Sequence, residues 1–267
     1  MIQLRPSSSY RWTRCAASAS FEADQPVEPP SDEAREGTAA AWVADCVLRG
    51  DAHDASDMTG ETHANGHLVT PDMVFHVQKY IDKVRSYGGT VSTEQFGRLN
   101  EFIAGTLDSS IVIFGGTVLR VKDLKYGFEI VDPYQNTQLL IYAAIELIRL
   151  GHPAHITHVE MSIFQPRAYH PDGIDRSWTI TVNELWQWIN WIVERGNECQ
   201  RPVPVATPGS HRDHCRAAAS CVALAHSVYK IFAVVQDVRQ QKMTAEELSR
   251  ELTLISLAKK LIDARKS

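Results

Sequence analysis

Residues 102–150 constrain the fold more than any other part of the chain. Two runs, FIAGTLDSSIVIF and TVLRVKDLKYGFEIV, are rich in β-branched and aromatic residues and are separated by Gly115-Gly116, a hairpin signal. The segment NTQLLIYAAIELIRLG then reads as a helix stopped by Gly151. HITHVEMSIFQPR follows as a strand, and RSWTITV as another after the turn Pro171-Asp172-Gly173. Strands, a helix and more strands predict an α/β domain with a mixed sheet. Asp108, Asp123 and Lys125 stand out in that block, because carboxylates and lysines are rarely buried unless paired or holding a metal.

The flanks add helices. EGTAAAWVADCVLRG predicts a helix ending at Gly50, after an acidic, proline-rich loop over residues 22–34. DAHDASDMTGETHANGHL reads as a long loop whose His53, His63 and His67 lack metal-ligand spacing. Thr70 caps the next helix with Pro71 in its first turn, and Val74, Val77, Ile81 and Val84 form its apolar stripe. Asn183 is expected to cap a helix whose stripe is Leu185, Trp188, Ile189 and Ile192. Thr244 and Glu247 have capping-box spacing at the start of a last helix. The expected organisation is a first segment and helix over 1–50, a loop over 51–69, a core over 70–200, a Cys/His patch over 201–225 and C-terminal helices over 226–267.

The totals narrow the classes. A chain of 267 residues with 44% hydrophobic and 22% charged residues is ordinary for a globular protein. No apolar run approaches the ~20 residues that a membrane span needs. A net charge of −5 argues against an overall basic coat but leaves room for a local basic groove. Five cysteines, an odd number, without a recognisable signal peptide point to a reducing cytoplasm, of a bacterial host or a phage-infected cell. The Ser/Arg-rich start, MIQLRPSSSYRWTRCAASAS, can also imitate an organellar transit peptide.

Asp123 and Lys125 are two apart in a strand, so they share a face with Val121, while Lys122 and Leu124 face the other way. Asp108 ends the preceding hairpin arm, where a bend can turn its carboxylate toward Asp123. Two converging carboxylates suit Mg²⁺ or Mn²⁺, and a nearby lysine can orient or deprotonate a water. Gln138 and Tyr142, at i and i+4 of the following helix, share a face that can meet the same place. A bare Asp-x-Lys is common as a surface ion pair; the ordered set Gly-x-x-Asp, Asp-x-Lys and Gln-x-x-x-Tyr is not.

On these residues the chain resembles the RecB-type nucleases of the PD-(D/E)XK superfamily, in a phage and prophage branch related to CRISPR-adaptation exonucleases. The resemblance runs from about residue 7 to about residue 225 and rests on SSSYRWTRCAAS, EGTAAAWVAD, GTLD, VKDLKYG, NTQLLIYA, IFQPR and HCRAAASC. It implies a restriction-endonuclease-like mixed sheet flanked by helices, with extra C-terminal helices. It implies that Asp108, Asp123 and the Leu124 carbonyl hold Mg²⁺ or Mn²⁺, that Lys125 is the catalytic lysine, and that Gln138 and Tyr142 are the accessory motif. The implied reaction is hydrolysis of DNA phosphodiesters, most often exonucleolytic, in phage DNA processing or recombination.

The chain departs from that pattern twice. Where the first helix of the family carries a histidine and then a glutamate, this sequence has Ala41 and Asp45, so one ligand is gone and Asp45 offers a shorter carboxylate. Many relatives also hold an iron–sulfur cluster on one N-terminal cysteine and a C-terminal Cys-x2-Cys-x5-Cys. Here Cys15, Cys215 and Cys221 remain, Arg212 stands where the pair should be completed, and Cys199, His211 or His214 is left as a fourth ligand for a cluster or for zinc. A metal-free group of small buried cysteines joining the chain ends is the alternative. Taken together, the departures leave open a weakened or inactive nuclease fold that acts by binding nucleic acid or a partner.

Arg11, Arg14, Arg98, Arg120, Lys122 and Arg167 are candidates for phosphate contacts in a DNA groove. Trp178, Trp186, Trp188 and Trp191 could stack on bases, although packing is the commoner role. Leu248, Leu252 and Ile255 form a C-terminal stripe suited either to a DNA-threading homo-oligomer or a recombination partner, or to the core of the monomer.

Overall fold

The computed structural model describes the chain except for residues 28, 113–115, 210, 212–214, 238–243 and 267. Gly115 of the predicted hairpin, Arg212 and His214 therefore lie outside the described residues. Two compact units are present: Arg5–Ser7 with Glu28–Ile192, and Met1–Leu4 and Ser8–Val27 with Val193–Ser267.

The larger unit is built on a five-stranded sheet in the order β1-β2-β3-β4-β5: Thr90–Arg98, Ala104–Val112, Val118–Leu124, His158–Phe164 and Asp175–Thr181. Only β3 and β4 run parallel; the other neighbours are antiparallel. A parallel pair needs a long crossover, and the helix α5 (Thr137–Arg149) supplies it. Asn136 starts α5 by accepting the N–H groups of Gln138 and Leu139 at 3.1 and 3.3 Å. The mixed sheet flanked by helices is the predicted fold class.

On one side of the sheet α3 (Asp32–Arg49) and α4 (Pro71–Arg85) make the main core. Ala39, Ala40, Val43 and Val47 pack with Val77, Ile81 and Val84, and with Ile111, Leu124 and Phe164 of the strands. Ser31 caps α3 by accepting from Ala34 N at 3.2 Å, and Gly50 closes it at φ 89°. Thr70 caps α4 as expected, accepting from Met73 N at 3.2 Å.

Two expectations change. Strand β1 was not legible, because TVSTEQFGR mixes polar side chains with partial exposure along an edge. The helix α6 (Val182–Cys199) is not capped by Asn183. Thr181 Oγ1 accepts the Glu184 N–H at 3.2 Å while Glu184 accepts the Thr181 N–H at 2.8 Å, a reciprocal box that caps the helix two residues earlier. Leu185, Ile189 and Ile192 are buried as predicted; Trp188 instead joins an edge-to-face run with Trp178 and Trp191.

The smaller unit holds α1 (Ser9–Trp12), α2 (Ser18–Ala23), the end of α6, α7 (Val222–Asp237) and α8 (Ala245–Lys266). Leu224, Ala225 and Val228 of α7 pack against Leu257 and Leu261 of α8. The stripe chosen from the sequence is not the packed one: Leu252 and Ile255 are exposed, and the Leu248 side chain lies outside the described residues.

Candidate functional site

Four of the predicted residues meet on the α5 side of β3. Asp123 is 1% exposed. Its Oδ1 accepts Gln138 Nε2 at 3.2 Å, and Gln138 Nε2 also reaches the Tyr142 hydroxyl at 3.2 Å. The Lys125 ammonium lies 2.7 Å from Asp123 Oδ2 and donates to Gln138 Oε1 at 3.4 Å. The approach of Lys125 to Asp123 is outside hydrogen-bond geometry, so Oδ2 is a buried carboxylate oxygen beside a charge yet without a hydrogen bond among the described residues. Such an oxygen is costly unless something else coordinates it.

The sheet is shaped to let α5 come this close. Gly97 and Gly105 are register partners on β1 and β2. A Cβ on Gly97 would stand 2.2 Å from Ile145 Cγ2, and one on Gly105 would stand 3.6 Å from the Tyr142 ring and 2.5 Å from Pro6 Cδ. The paired glycines make a flat spot under the face of α5 that carries Tyr142 and Ile145.

Backbone register places Asp108 next to Asp123. The β2–β3 ladder ends at Ser109↔Lys122, and Asp108 and Asp123 are the next residue on each strand. The β1–β2 ladder is interrupted at the same level, between the pairs Thr93↔Ser109 and Gln95↔Leu107, where Glu94 has φ 47°. Both ladders are thus interrupted at Asp108, which lies within β2 rather than at the end of the hairpin arm as expected from the sequence; its side chain lies outside the described residues.

On the α3 side, Ala41, Asp45, Tyr80, Glu94 and Leu124 line a cavity of about 10 Å³, room for about one water. Both oxygens of Asp45 are already committed: Oδ1 accepts Thr93 Oγ1 at 2.6 Å and Oδ2 pairs with Arg49 at 3.1 Å. Asp45 therefore makes a network of its own, apart from the contacts around Asp123. Partial burial and the neighbouring Asp45 push the Glu94 carboxyl above its usual range. Nothing in the sequence reading singled out Glu94, since its strand was not recognised.

The phosphate-contact candidates divide. Lys122 is corrected outright: it is 1% exposed, with its amine 2.8 Å from Ser162 Oγ and 2.5 Å from Asp175 Oδ1. β3 is a central strand, and from Val121 to Leu124 the residues on both of its faces are buried. Arg11 is likewise taken up, paired with the buried Glu22 at 2.9 Å. Arg98 is exposed. Arg167 binds Glu36 at 2.6 Å and lies 4.4 and 4.3 Å from the ring centres of Tyr126 and Phe128. Burial pushes the Tyr126 phenol up to about 12, so it stays protonated at neutral pH.

In the smaller unit all five cysteines except Cys46 occur, all are buried, and no disulfide links any of the five. Cys15 Sγ accepts the Thr207 N–H at 3.4 Å, and His211 Nε2 is 3.0 Å from the Thr207 carbonyl. Cys215 and Cys221 pack among Ala217, Ala218 and Leu224. Burial, with Cys15 adding to it, pushes the Cys199 thiol up to about 12, and its Sγ donates to the Arg195 carbonyl at 3.3 Å. Among the described residues no three His, Cys, Asp or Glu side chains gather as a metal would require.

Sequence reasoning also passed over Gln165 and Arg176, although Gln165 lies in the quoted IFQPR. Gln165 is fully buried and donates to the carbonyls of Gly127 and Glu129 at 2.9 and 2.6 Å, while its Oε1 accepts Val131 N at 3.3 Å. Arg176 donates to the Val131 carbonyl at 2.8 Å and to Gln165 Oε1 at 2.9 Å. Together they fix the segment that connects Lys125 to Gln138.

Among solved structures, the chain is similar to a provisionally assigned exonuclease from Eubacterium rectale at 10% identity and TM-score 0.40, covering 79% of this chain and 92% of that one. It is similar to a phage-related exonuclease from Haemophilus somnus 129PT at 14% identity and TM-score 0.30, covering 74% and 93%. An alkaline exonuclease from Laribacter hongkongensis is similar at 10% identity and TM-score 0.29, covering 74% and 90%. Residues 2–266, nearly the whole sequence, match one family, and the chain belongs to it: DUF2800, described as a protein of unknown function.

Proposed function

We propose that the chain is a metal-dependent deoxyribonuclease that hydrolyses DNA phosphodiesters, acting as an exonuclease in phage DNA processing or recombination. The observation that carries this reading is the buried Asp123 Oδ2, without a hydrogen bond among the described residues, beside Lys125, with Asp108 and Asp123 each the next residue beyond the last β2–β3 pair. Carboxylate oxygens and a backbone carbonyl are hard donors, so Asp108, Asp123 and the Leu124 carbonyl would hold Mg²⁺ or Mn²⁺. When bound, the ion would polarise the phosphate and make a bound water more acidic. Lys125, 28% exposed at its side chain, orients the attacking water and offsets charge developing on the phosphate oxygens. Gln138 holds Asp123 and Lys125 at once, and Tyr142 holds Gln138, so the pair sets the geometry of the reacting groups.

The test is degradation of linear duplex DNA with Mg²⁺ or Mn²⁺, and with EDTA as control. Asp123→Asn and Lys125→Ala should each lower the rate by a factor of at least about a hundred, in the range of lost transition-state stabilisation. Their circular dichroism spectra should match wild type. Cleavage at wild-type rate in both variants defeats the proposal. A second reading, binding without cutting, is favoured by the committed oxygens of Asp45 and by Ala41. It predicts a gel shift without degradation even in Mn²⁺, and degradation appearing in Ala41→His would reject it.

A further inference from the structure

The segment that follows Lys125 is built unlike an ordinary connecting loop. Gln165 and Arg176, 0% and 6% exposed, both hydrogen-bond its backbone. They bind the carbonyls of Gly127, Glu129 and Val131 and the N–H of Val131. The side chains of this pinned stretch nonetheless stay outside: Phe128, Glu129 and Ile130 are all exposed. Phe128 is 64% exposed. Two more rings are exposed: Tyr134 at 61%, four residues before Gln138 and set edge-to-face on Trp178 at 5.3 Å, and Tyr169 at 90%, two residues after Arg167.

Pinning a backbone with a buried amide and guanidinium while turning its aromatic rings to solvent gives the fold no apolar burial in return. The rings are held ready for something outside the chain. What Phe128 suits is set by the cation behind it: the Arg167 guanidinium, paired with Glu36, lies 4.3 Å from the centre of the Phe128 ring, whose exposure leaves ring surface open to solvent. An exposed flat ring backed by a guanidinium and pinned chain is the chemistry that receives unpaired bases by stacking.

We propose that Phe128, Tyr134 and Tyr169, with Arg167, form a stacking platform for unpaired bases of a DNA strand entering the site at Asp123 and Lys125. The platform rests on the nuclease reading for its substrate, and it adds a preference: bases inside a duplex have no free faces, so single-stranded DNA or a frayed end binds there and a blunt duplex does not. Gln165 and Arg176 are positioning residues, since they act through hydrogen bonds to backbone and to each other.

The experiment is fluorescence anisotropy of labelled oligodeoxynucleotides in EDTA with the full chain. A single strand is compared with a blunt duplex and with an abasic strand of the same length. Wild type should hold the single strand at least about ten-fold tighter than the abasic one. Phe128→Ala and Tyr169→Ala should each weaken single-strand binding by about five- to a hundred-fold, the range for one lost stacking partner. Neither should change abasic binding, and Phe128→Tyr should restore the wild-type value. Equal binding of the two single strands by wild type, or unchanged binding in both alanine variants, overturns the proposal. Absence of any binding by wild type also overturns it and turns the rings over to a protein partner. Asp123→Asn separates the two ideas: the nuclease reading fails if that variant still cuts DNA, and the platform fails on binding alone, whether or not the wild type cuts.

Discussion

Lys122 and Lys125 stand three residues apart on and just after one strand, yet their surroundings give them opposite roles. Lys125 keeps a partly exposed amine at Asp123, whereas Lys122 is sealed between Ser162 and Asp175. Burial lowers the Lys122 pKa more than Asp175 raises it. The unfolded chain therefore binds that proton more tightly than the folded one, and stability should rise with pH as the ordinary lysine pKa near 10.5 is approached. Replacing a buried ion by an apolar side chain is often neutral or stabilising, by about 1–4 kcal/mol. Lys122→Met leaves Asp175 paired with Lys83 at 3.2 Å, so no charge is orphaned. The variant should melt at or above the wild-type temperature at pH 7, and its advantage should shrink steadily between pH 8 and pH 10. A variant that loses several degrees at pH 7 and gains nothing relative to wild type at low pH would show that the ammonium, not its stem, holds this part of the sheet together.

Among the elements, legibility followed burial pattern. α5 and β3 were readable because an apolar period runs through NTQLLIYAAIELIRLG and alternation through VLRVKDL, and those two elements carry Asp123, Gln138 and Tyr142. Their meeting could be foreseen because both periods are local. β1 was not readable, and with it were lost Glu94, the network from Thr93 to Asp45, and the reason for Gly97. Those depend on which strand lies beside which, a non-local fact. The burial of Lys122 was missed for the same cause: alternation gave its face, but only the neighbouring strands and helices show that face to be covered. Gly97 is where the recovered strand bears on the site. Ile145 is 3% exposed and branched at Cβ, so its Cγ2 has little freedom to leave the 2.2 Å clash that a methyl on Gly97 would create. Gly97→Ala should cost about 1–3 kcal/mol by overpacking, read in urea denaturation. Adding Ile145→Ala should recover part of that cost, giving a coupling energy between the two positions. Independent, additive losses would mean that α5 is held at its height by other contacts than the glycine pair.

At the scale of the molecule, the two compact units each have a core of their own. Val77, Ile81 and Val84 belong to one, Leu224, Val228, Leu257 and Leu261 to the other. Local stability follows local packing, so damage to one core should register first in the backbone amides that it supports. Leu224 is fully buried at the start of α7, and Leu224→Ala should destabilise its unit by about 2–5 kcal/mol. Hydrogen–deuterium exchange with peptide mass readout distinguishes a local from a global effect. Amides of α7 and α8 should exchange faster in the variant, while those of β3, β4 and α5 keep wild-type protection. The same separation matters chemically, because the groups proposed to bind metal and DNA all lie in the larger unit, whereas Cys15, Cys199, Cys215 and Cys221 lie in the smaller. DNA cleavage by Leu224→Ala, measured below its first melting transition, should therefore stay within about two-fold of wild type. If cleavage falls in step with the loss of protection in α7 and α8, or if β3 and α5 lose protection as well, the chain behaves as one cooperative body and the smaller unit takes part in forming the site.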